Sequence, residues 1–251
     1  MPVHRLSDMT WEEVRATDRV HAVAILPVGA VEAHGPHLPL GTDVIIAEAM
    51  AKSGAEKLAK DGFTVLILPP IWYTSAAYAN AFPGTIGVEP DTVRRLIHEI
   101  GIALLAQGVQ TLAIANAHLD PEHIATLRAV SRAGPDGLRI VFLDLTRPSV
   151  ARRLTSEFKT GACHAGQFEG SVVLAESPSL VRTNIAAGLD ANPASLSKAI
   201  RDGKMTFAEA GGPRAYFGWP AQATAEEGRE TVRVLGELLA EAVVAGEEAK
   251  V

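Results

Sequence analysis

Short, wholly apolar runs that alternate with amphipathic stretches constrain this chain more than any other feature. "HAVAILPVG", "FTVLILPP", "VQTLAIAN" and "LRIVFLDL" carry apolar residues at both odd and even positions, so a strand formed from any of them is buried on both faces. Between them lie segments with apolar residues three and four apart, the mark of a helix with one buried face. These run from Asp43 to Gly62, from Pro90 to Gly108 and from Pro121 to Arg132. Proline at the start of two and glycine at the end of two are helix boundary signals. Such alternation predicts an α/β fold: a three-layer α/β/α sandwich around a mostly parallel sheet. After Leu145 the pattern weakens into a segment around "HAGQFEGSVVLAESP", a Gly/Pro-rich loop near "AGGPRAYFGWP", and a last helix from about Ala223 to Ala245. No composition break, repeat or linker divides residues 1–251, which read as one domain.

The charge pattern narrows the function. A net charge of −6 without a basic run argues against nucleic acid as partner. No apolar run reaches the roughly 18 residues of a membrane span. The N-terminus lacks a signal-peptide core, and the single cysteine, Cys163, fits a reducing compartment, so a cytoplasmic address is expected.

Open α/β sheets gather ligands beyond the carboxyl ends of their strands, and polar clusters follow three of the expected strands: "VEAHGPHL", "TSAAYANAFPGT" and "NAHLDPEH". Glu32 and His34 are two residues apart, so in extended chain they point to one side. Asp43 lies nine residues beyond His34, where the next helix starts, and can bridge two ions. His118 and Asp120 repeat the two-residue spacing at another strand end. Two imidazoles and three carboxylates suffice for two divalent metal ions with solvent positions left open. Nitrogen and oxygen donors without thiolate suit zinc, the first expectation, and also manganese or iron(II).

"CHAGQFEGS" adds His164 and Glu169 as candidate catalytic groups, with Glu169 either a metal ligand or a general base. Asp120 reads equally as the N-cap of the helix beginning at Pro121. His37 reads as a group that fixes the loop or orients a ligand. Tyr78, Phe82 and Cys163 are candidate supports or walls of a substrate pocket, and His123 reads as an exposed helix residue.

Taken together, these motifs resemble those of the creatininase (creatinine amidohydrolase) family. The family pattern Gly-x-x-Glu-x-His-Gly-x-His-Leu-Pro, with Asp nine residues after the first His, is matched by Gly29, Glu32, His34, Gly35, His37, Leu38, Pro39 and Asp43. Phe-Pro-Gly-Thr follows at Phe82 to Thr85, Asn-x-His at Asn116 and His118, and His-Ala-Gly-x-x-Glu-x-Ser at His164 to Ser171. The resemblance implies an α/β/α fold, a dinuclear metal site, hydrolysis of cyclic amides or formamides, and a homo-oligomer, often a hexamer. It makes Glu32, His34, Asp43 and His118 the ligands, with Asp43 bridging, and puts Asp120 where creatininase has a Glu.

Departures bear on the substrate. Cys163 stands where an acidic residue commonly precedes His-Ala-Gly, Ala79 where a His often stands, and Thr160 where creatininase has a Trp. A substrate other than creatinine is therefore expected. The reading is a metal-dependent hydrolase that uses a metal-activated water to cut a non-peptide C–N bond in a small cyclic amide or formamide. The alternative is a non-catalytic relative that binds a small molecule or serves in an assembly. A nucleotide-binding domain is disfavoured, because Pro27 and Glu32 stand where a Gly-x-Gly-x-x-Gly turn would follow the first strand.

Overall fold

The computed structural model describes residues 3–19 and 21–248. Five strands form one sheet: β1 (Val3–Arg5), β2 (Ala22–Val28), β3 (Thr64–Ile67), β4 (Thr111–Asn116) and β5 (Arg139–Phe142). They lie in the order β1-β3-β2-β4-β5, and every pairing is parallel. The helices are α1 (Trp11–Ala16), α2 (Thr42–Lys60), α3 (Pro90–Ala106), α4 (Pro121–Arg132), α5 (Pro148–Ala151), α6 (Ser156–Thr160), α7 (Gln167–Glu176), α8 (Thr183–Ala187), α9 (Leu196–Arg201) and α10 (Ala225–Glu248). No helix among the described residues is long and apolar enough to cross a membrane.

The side-chain alternation of β2 builds the three layers. Val23 and Ile25 pack with Ile46, Met50 and Leu58 of α2, Val172 of α7 and Leu235, Leu239 and Val243 of α10. Ala24, Leu26 and Val28 face the other way, onto Val93, Ile97 and Leu104 of α3 and Leu127 and Val130 of α4. Each large aliphatic side chain so buried contributes roughly 1.5–3 kcal/mol, which is why a strand without a polar face is stable only between two helical layers. Because the strands are parallel, their carboxyl ends share one edge. The loops after β2, β3 and β4 leave from it.

Two elements at the N-terminus were not expected from the apolar pattern. β1 is a three-residue edge strand without a buried residue, so it carries no apolar run to read. It is defined by its pairing with Val65, Leu66 and Ile67. α1 has a local signal: Thr10 and Glu13 form a capping box, the Thr side chain accepting from Glu13 N while Glu13 accepts from Thr10 N. His123, expected on an exposed helix face, is instead fully buried. Its spacing of four and seven residues from Leu127 and Val130 places it on the packed side of α4.

Candidate metal centre

Loop 29–41 is folded so that both of its ends meet. Gly29 lets the first turn of α2 approach the strand end, since a Cβ there would stand 2.5 Å from Val44 N. Glu32 N donates to Leu40 O at 3.0 Å, and Thr42 Oγ1 donates to Pro39 O at 2.7 Å. Asp43, in the first turn of α2, is thereby carried to Glu32 and His34. The Phe-Pro-Gly-Thr segment closes on the same loop: Thr85 Oγ1 accepts from Ala33 N, and Ile86 N donates to Val31 O. From β4, Asn116 Nδ2 donates to His118 O at 2.7 Å, fixing the turn that presents His118. Buried His123 bonds Asn116 Oδ1 through Nε2 at 2.9 Å, and its ring lies 5.1 Å from that of His118.

Six buried groups converge: Glu32, His34, Asp43, His118, His164 and Glu169. Three overlapping sets have donor atoms within 4.8 Å of one another, namely Glu32–Asp43–His118, His34–Asp43–Glu169 and Glu32–His34–His164. Asp43 divides its oxygens between two imidazoles. Oδ1 lies 3.2 Å from His34 Nε2, and Oδ2 lies 3.0 Å from His118 Nδ1. Glu32 Oε1 is 3.4 Å from His118 Nδ1, and Glu169 Oε2 is 3.5 Å from His34 Nε2.

Each imidazole is held through its other nitrogen by a backbone carbonyl. His34 Nδ1 bonds Glu32 O at 3.1 Å, His118 Nε2 bonds Ser75 O at 2.7 Å, and His164 Nε2 bonds Ala33 O at 2.9 Å. A carbonyl can only accept, so in the neutral ring the bonded nitrogen carries the proton and the other is the one left to offer a lone pair to the cluster.

The donor set fits divalent metal. Atoms bound at about 2.0–2.2 Å around one tetrahedral ion stand roughly 3.3–3.6 Å apart, close to the observed spacings. Glu32 Oε2, His34 Nε2 and Asp43 Oδ2 are buried and have no hydrogen-bond partner among the described residues. Three buried carboxylates without cations would cost several kcal/mol each.

Without metal the protein compensates with protons. Burial opposes charge on His34, but Asp43, Glu169 and Glu32 overrule it and raise its pKa to about 10. His118 rises for the same reason, burial being outweighed by Glu32 and Asp43. Burial would raise the Asp43 pKa, yet His34 and His118 hold it far below the usual carboxylate range. Burial pushes Glu169 up to about 8. His164 is kept neutral, first by burial and then by His34.

Asp120 is not in this cluster. Its Oδ1 accepts from Glu122 N at 2.9 Å, capping α4, and its Oδ2 accepts from Tyr78 N at 3.3 Å. His37, on loop 29–41 itself, is buried edge-on to Tyr216, and burial lowers its pKa to about 4. Tyr78 and Cys163 line the cleft above the cluster, whereas Phe82 packs against Phe207 with ring centroids 6.3 Å apart. Tyr78 Oη donates to Lys204 O. Burial, then Glu169 and Glu157, push the Cys163 thiol up to about 12, so it stays protonated.

Two residues were missed by sequence reasoning. Phe207 lies over His164, ring centroids 4.2 Å apart, and the segment around it gives no periodic signal. Glu157 accepts from Gln167 N, Phe168 N and Trp219 N at 2.7, 2.6 and 2.8 Å, so it caps α7 from outside the helix and fixes the turn that carries Glu169. In sequence it is an ordinary acid in the first turn of α6. Gly166 is required beside it, since a Cβ there would lie 2.4 Å from Glu157 Oε1.

The cleft has a volume of about 780 Å³. An α/β/α sandwich with a carboxylate–imidazole cluster at the carboxyl edge of a parallel sheet is an arrangement suited to the class of metal-dependent hydrolases. Within that class, the profile described as creatinine amidohydrolase matches residues 7–243, and the chain belongs to the creatininase family as an amidohydrolase. It is 32% identical over 226 residues to a mycofactocin precursor peptide peptidase of Mycobacterium ulcerans (strain Agy99), covering 87% of this chain and 82% of that one. It is 30% identical over 196 residues to a creatinine amidohydrolase of Pseudomonas putida, covering 70% of this chain and 73% of the other. A solved creatinine amidohydrolase superposes with a TM-score of 0.73 at 26% identity, covering 98% of each chain. Two further solved creatininases, a manganese form and a Zn–Zn type mutant, each cover 98% of this chain and 99% of their own at 25% identity, with TM-scores of 0.70 and 0.69.

Proposed function

We propose that this chain hydrolyses an amide C–N bond at a dinuclear centre, with Asp43 shared between Glu32–Asp43–His118 and His34–Asp43–Glu169. The observation that carries the reading is Asp43 itself, whose two oxygens face two different imidazoles at 3.2 and 3.0 Å. Bound there, two divalent cations supply Lewis acidity that polarises a carbonyl oxygen and makes water nucleophilic near neutral pH. Zinc and manganese are supported by the donor set and by the two solved relatives that carry them.

The two sets use five of the six groups and leave His164 for the proton. His164 is neutral, its Nε2–H is committed to Ala33 O, and its Nδ1 faces the cluster, 3.8 Å from Glu32 Oε1, while its ring lies against Phe207. In this reading Nδ1 accepts the proton lost by the attacking water and returns it to the departing nitrogen. Glu169 serves as ligand rather than base, held by the backbone N–H of Ala165 at 2.6 Å. Phe207 and Tyr78 keep bulk water from that side.

The bond belongs to a small cyclic amide or a formamide attached to a larger body. A second reading, the amide of a short peptide, is favoured by the cleft, far larger than a bare lactam ring, and by the peptidase among the relatives. The test is elemental analysis with turnover of a cyclic amide, a formamide and a peptide by zinc- and manganese-loaded protein. About two ions per chain are expected, with both metal and turnover lost in Asp43→Ala. Metal and turnover retained in that variant would refute the assignment.

A further inference from the structure

The cleft is electrically divided. The acids lining it are Glu32, Asp43, Asp120 and Glu169, all at or below 6% exposure, and all therefore on its floor. Its cations are Arg128, Arg152, Lys159 and Arg201, on the half-exposed or exposed rim. No acidic residue among the described ones lines that rim. This separation occurs in a chain whose net charge is −6.

Arg128 is already engaged. Its guanidinium meets buried Asp144 at 2.7 Å and donates to Thr146 Oγ1. Arg152, just after α5, Lys159 on α6 and Arg201 at the end of α9 have no ion-pair partner among the described residues. Three short helical segments thus present to one opening three cations held in no close ion pair, with Asp202, beside Arg201, the acid whose field reaches one of them. A neutral ligand gains little from such a mouth, whereas an anionic one is drawn in and oriented, since charge lining a cleft focuses its field along the entry path.

Resting on the amide-hydrolase reading, we infer that the rim is a specificity site: Arg152, Lys159 and Arg201 bind an anionic oxygen group, carboxylate or phosphate, on the part of the substrate remote from the amide bond. The division of labour is physical. The floor places the carbonyl, and the rim holds the far end and so fixes which way round the substrate enters. A substrate that is only a small neutral ring would leave the three cations idle.

The test uses metal-loaded protein and three dansyl-labelled tripeptide amides: triglutamate, triglutamine, and a glutamine peptide with a central phosphoserine. Single exposed ion pairs are weak, so three acting together set an expected preference of about tenfold for an anionic probe over the neutral one at low salt. It should shrink at roughly 0.5 M NaCl, where the Debye length falls to about 4 Å. Which anionic probe binds more tightly tells carboxylate from phosphate. The triple variant Arg152→Gln, Lys159→Gln, Arg201→Gln should lose the preference, while Arg94→Gln, Arg95→Gln, on α3 outside the cleft, keeps it.

Equal affinity for charged and neutral probes, no measurable binding of either, or a preference that survives the triple variant would overturn the inference. Metal content and amide turnover of the same preparations report on the hydrolase reading separately. Protein that holds metal and cleaves amides but ignores probe charge would refute the rim alone.

Discussion

Removing metal should turn the centre into a pH-sensitive element with a calculable sign. In metal-free protein His34 titrates near 10, because Asp43, Glu169 and Glu32 outweigh the burial that opposes its charge, whereas an unfolded His titrates near 6.5. A raised imidazole pKa stabilises the fold fully below about 6.5 and loses that contribution as pH climbs through 10. For His34 alone, linkage between 6.5 and 10 gives a loss of roughly 2–3 kcal/mol from pH 7 to pH 9. His118 is raised as well and adds in the same direction. Glu169, pushed up by burial to about 8, also loses stability as pH rises from the unfolded carboxylate range through its folded value. The buried neutral imidazoles His37, His123 and His164 are lowered, chiefly by burial, so their effect is confined below about pH 6.5, where the unfolded chain takes up protons. Metal reverses the trend, because ligand nitrogens must be deprotonated and affinity rises with pH. Urea unfolding of chelator-treated protein should therefore show the midpoint falling by about 1 M between pH 7 and 9, at a slope of ~3 kcal/mol/M. The metal-loaded form should hold steady or gain. A flat or rising metal-free midpoint, or the same fall in metal-free His34→Gln, would refute the reasoning.

Two further expectations follow from neighbouring residues. Asp120→Ala removes the acceptor for Glu122 N and Tyr78 N, so stability should fall by about 1–2 kcal/mol with metal content unchanged. Metal lost with stability intact would make Asp120 a ligand. The Cys163 thiol, pushed up to about 12 chiefly by burial, should react with iodoacetamide at pH 8 several hundredfold more slowly in native than in unfolded protein. Rapid native labelling would reveal a thiolate.

The layers were legible because their cause is local. Apolar residues at both parities mark β2, β3 and β4, and helical spacing with Pro and Gly boundaries marks α2, α3 and α4, with α4 bounded by the expected Pro121 and Arg132. The last helix begins at Ala225, two residues after the expected Ala223, and its described part runs to Glu248, beyond the expected Ala245. Glu32, His34 and Asp43 were legible as a group because one short loop holds them. The carbonyls that fix the tautomers of His118 and His164 were not. Ser75 O is 43 residues from His118, and Ala33 O is 131 residues from His164, so no spacing rule connects them. Glu157 was hidden in the same way, its three donors lying 10, 11 and 62 residues away.

Those long-range bonds explain how the cluster is assembled. His118, on the loop after β4, bonds a carbonyl of the loop after β3, and His164, before α7, bonds a carbonyl of the loop after β2. Each imidazole therefore ties its own segment to another while turning its free nitrogen inward. Asp120, short and placed at the N-cap of α4, spends both oxygens on backbone donors and leaves the third carboxylate of the cluster to be supplied from elsewhere. Glu169 reaches it from the first turn of α7, a helix whose start is set by Glu157 and Gly166 rather than by the sheet. The sheet edge thus supplies Glu32, His34, Asp43 and His118, while α7 and the turn before it supply Glu169 and His164. The two groups of the cluster that the apolar pattern could not place are the two that the sheet does not carry.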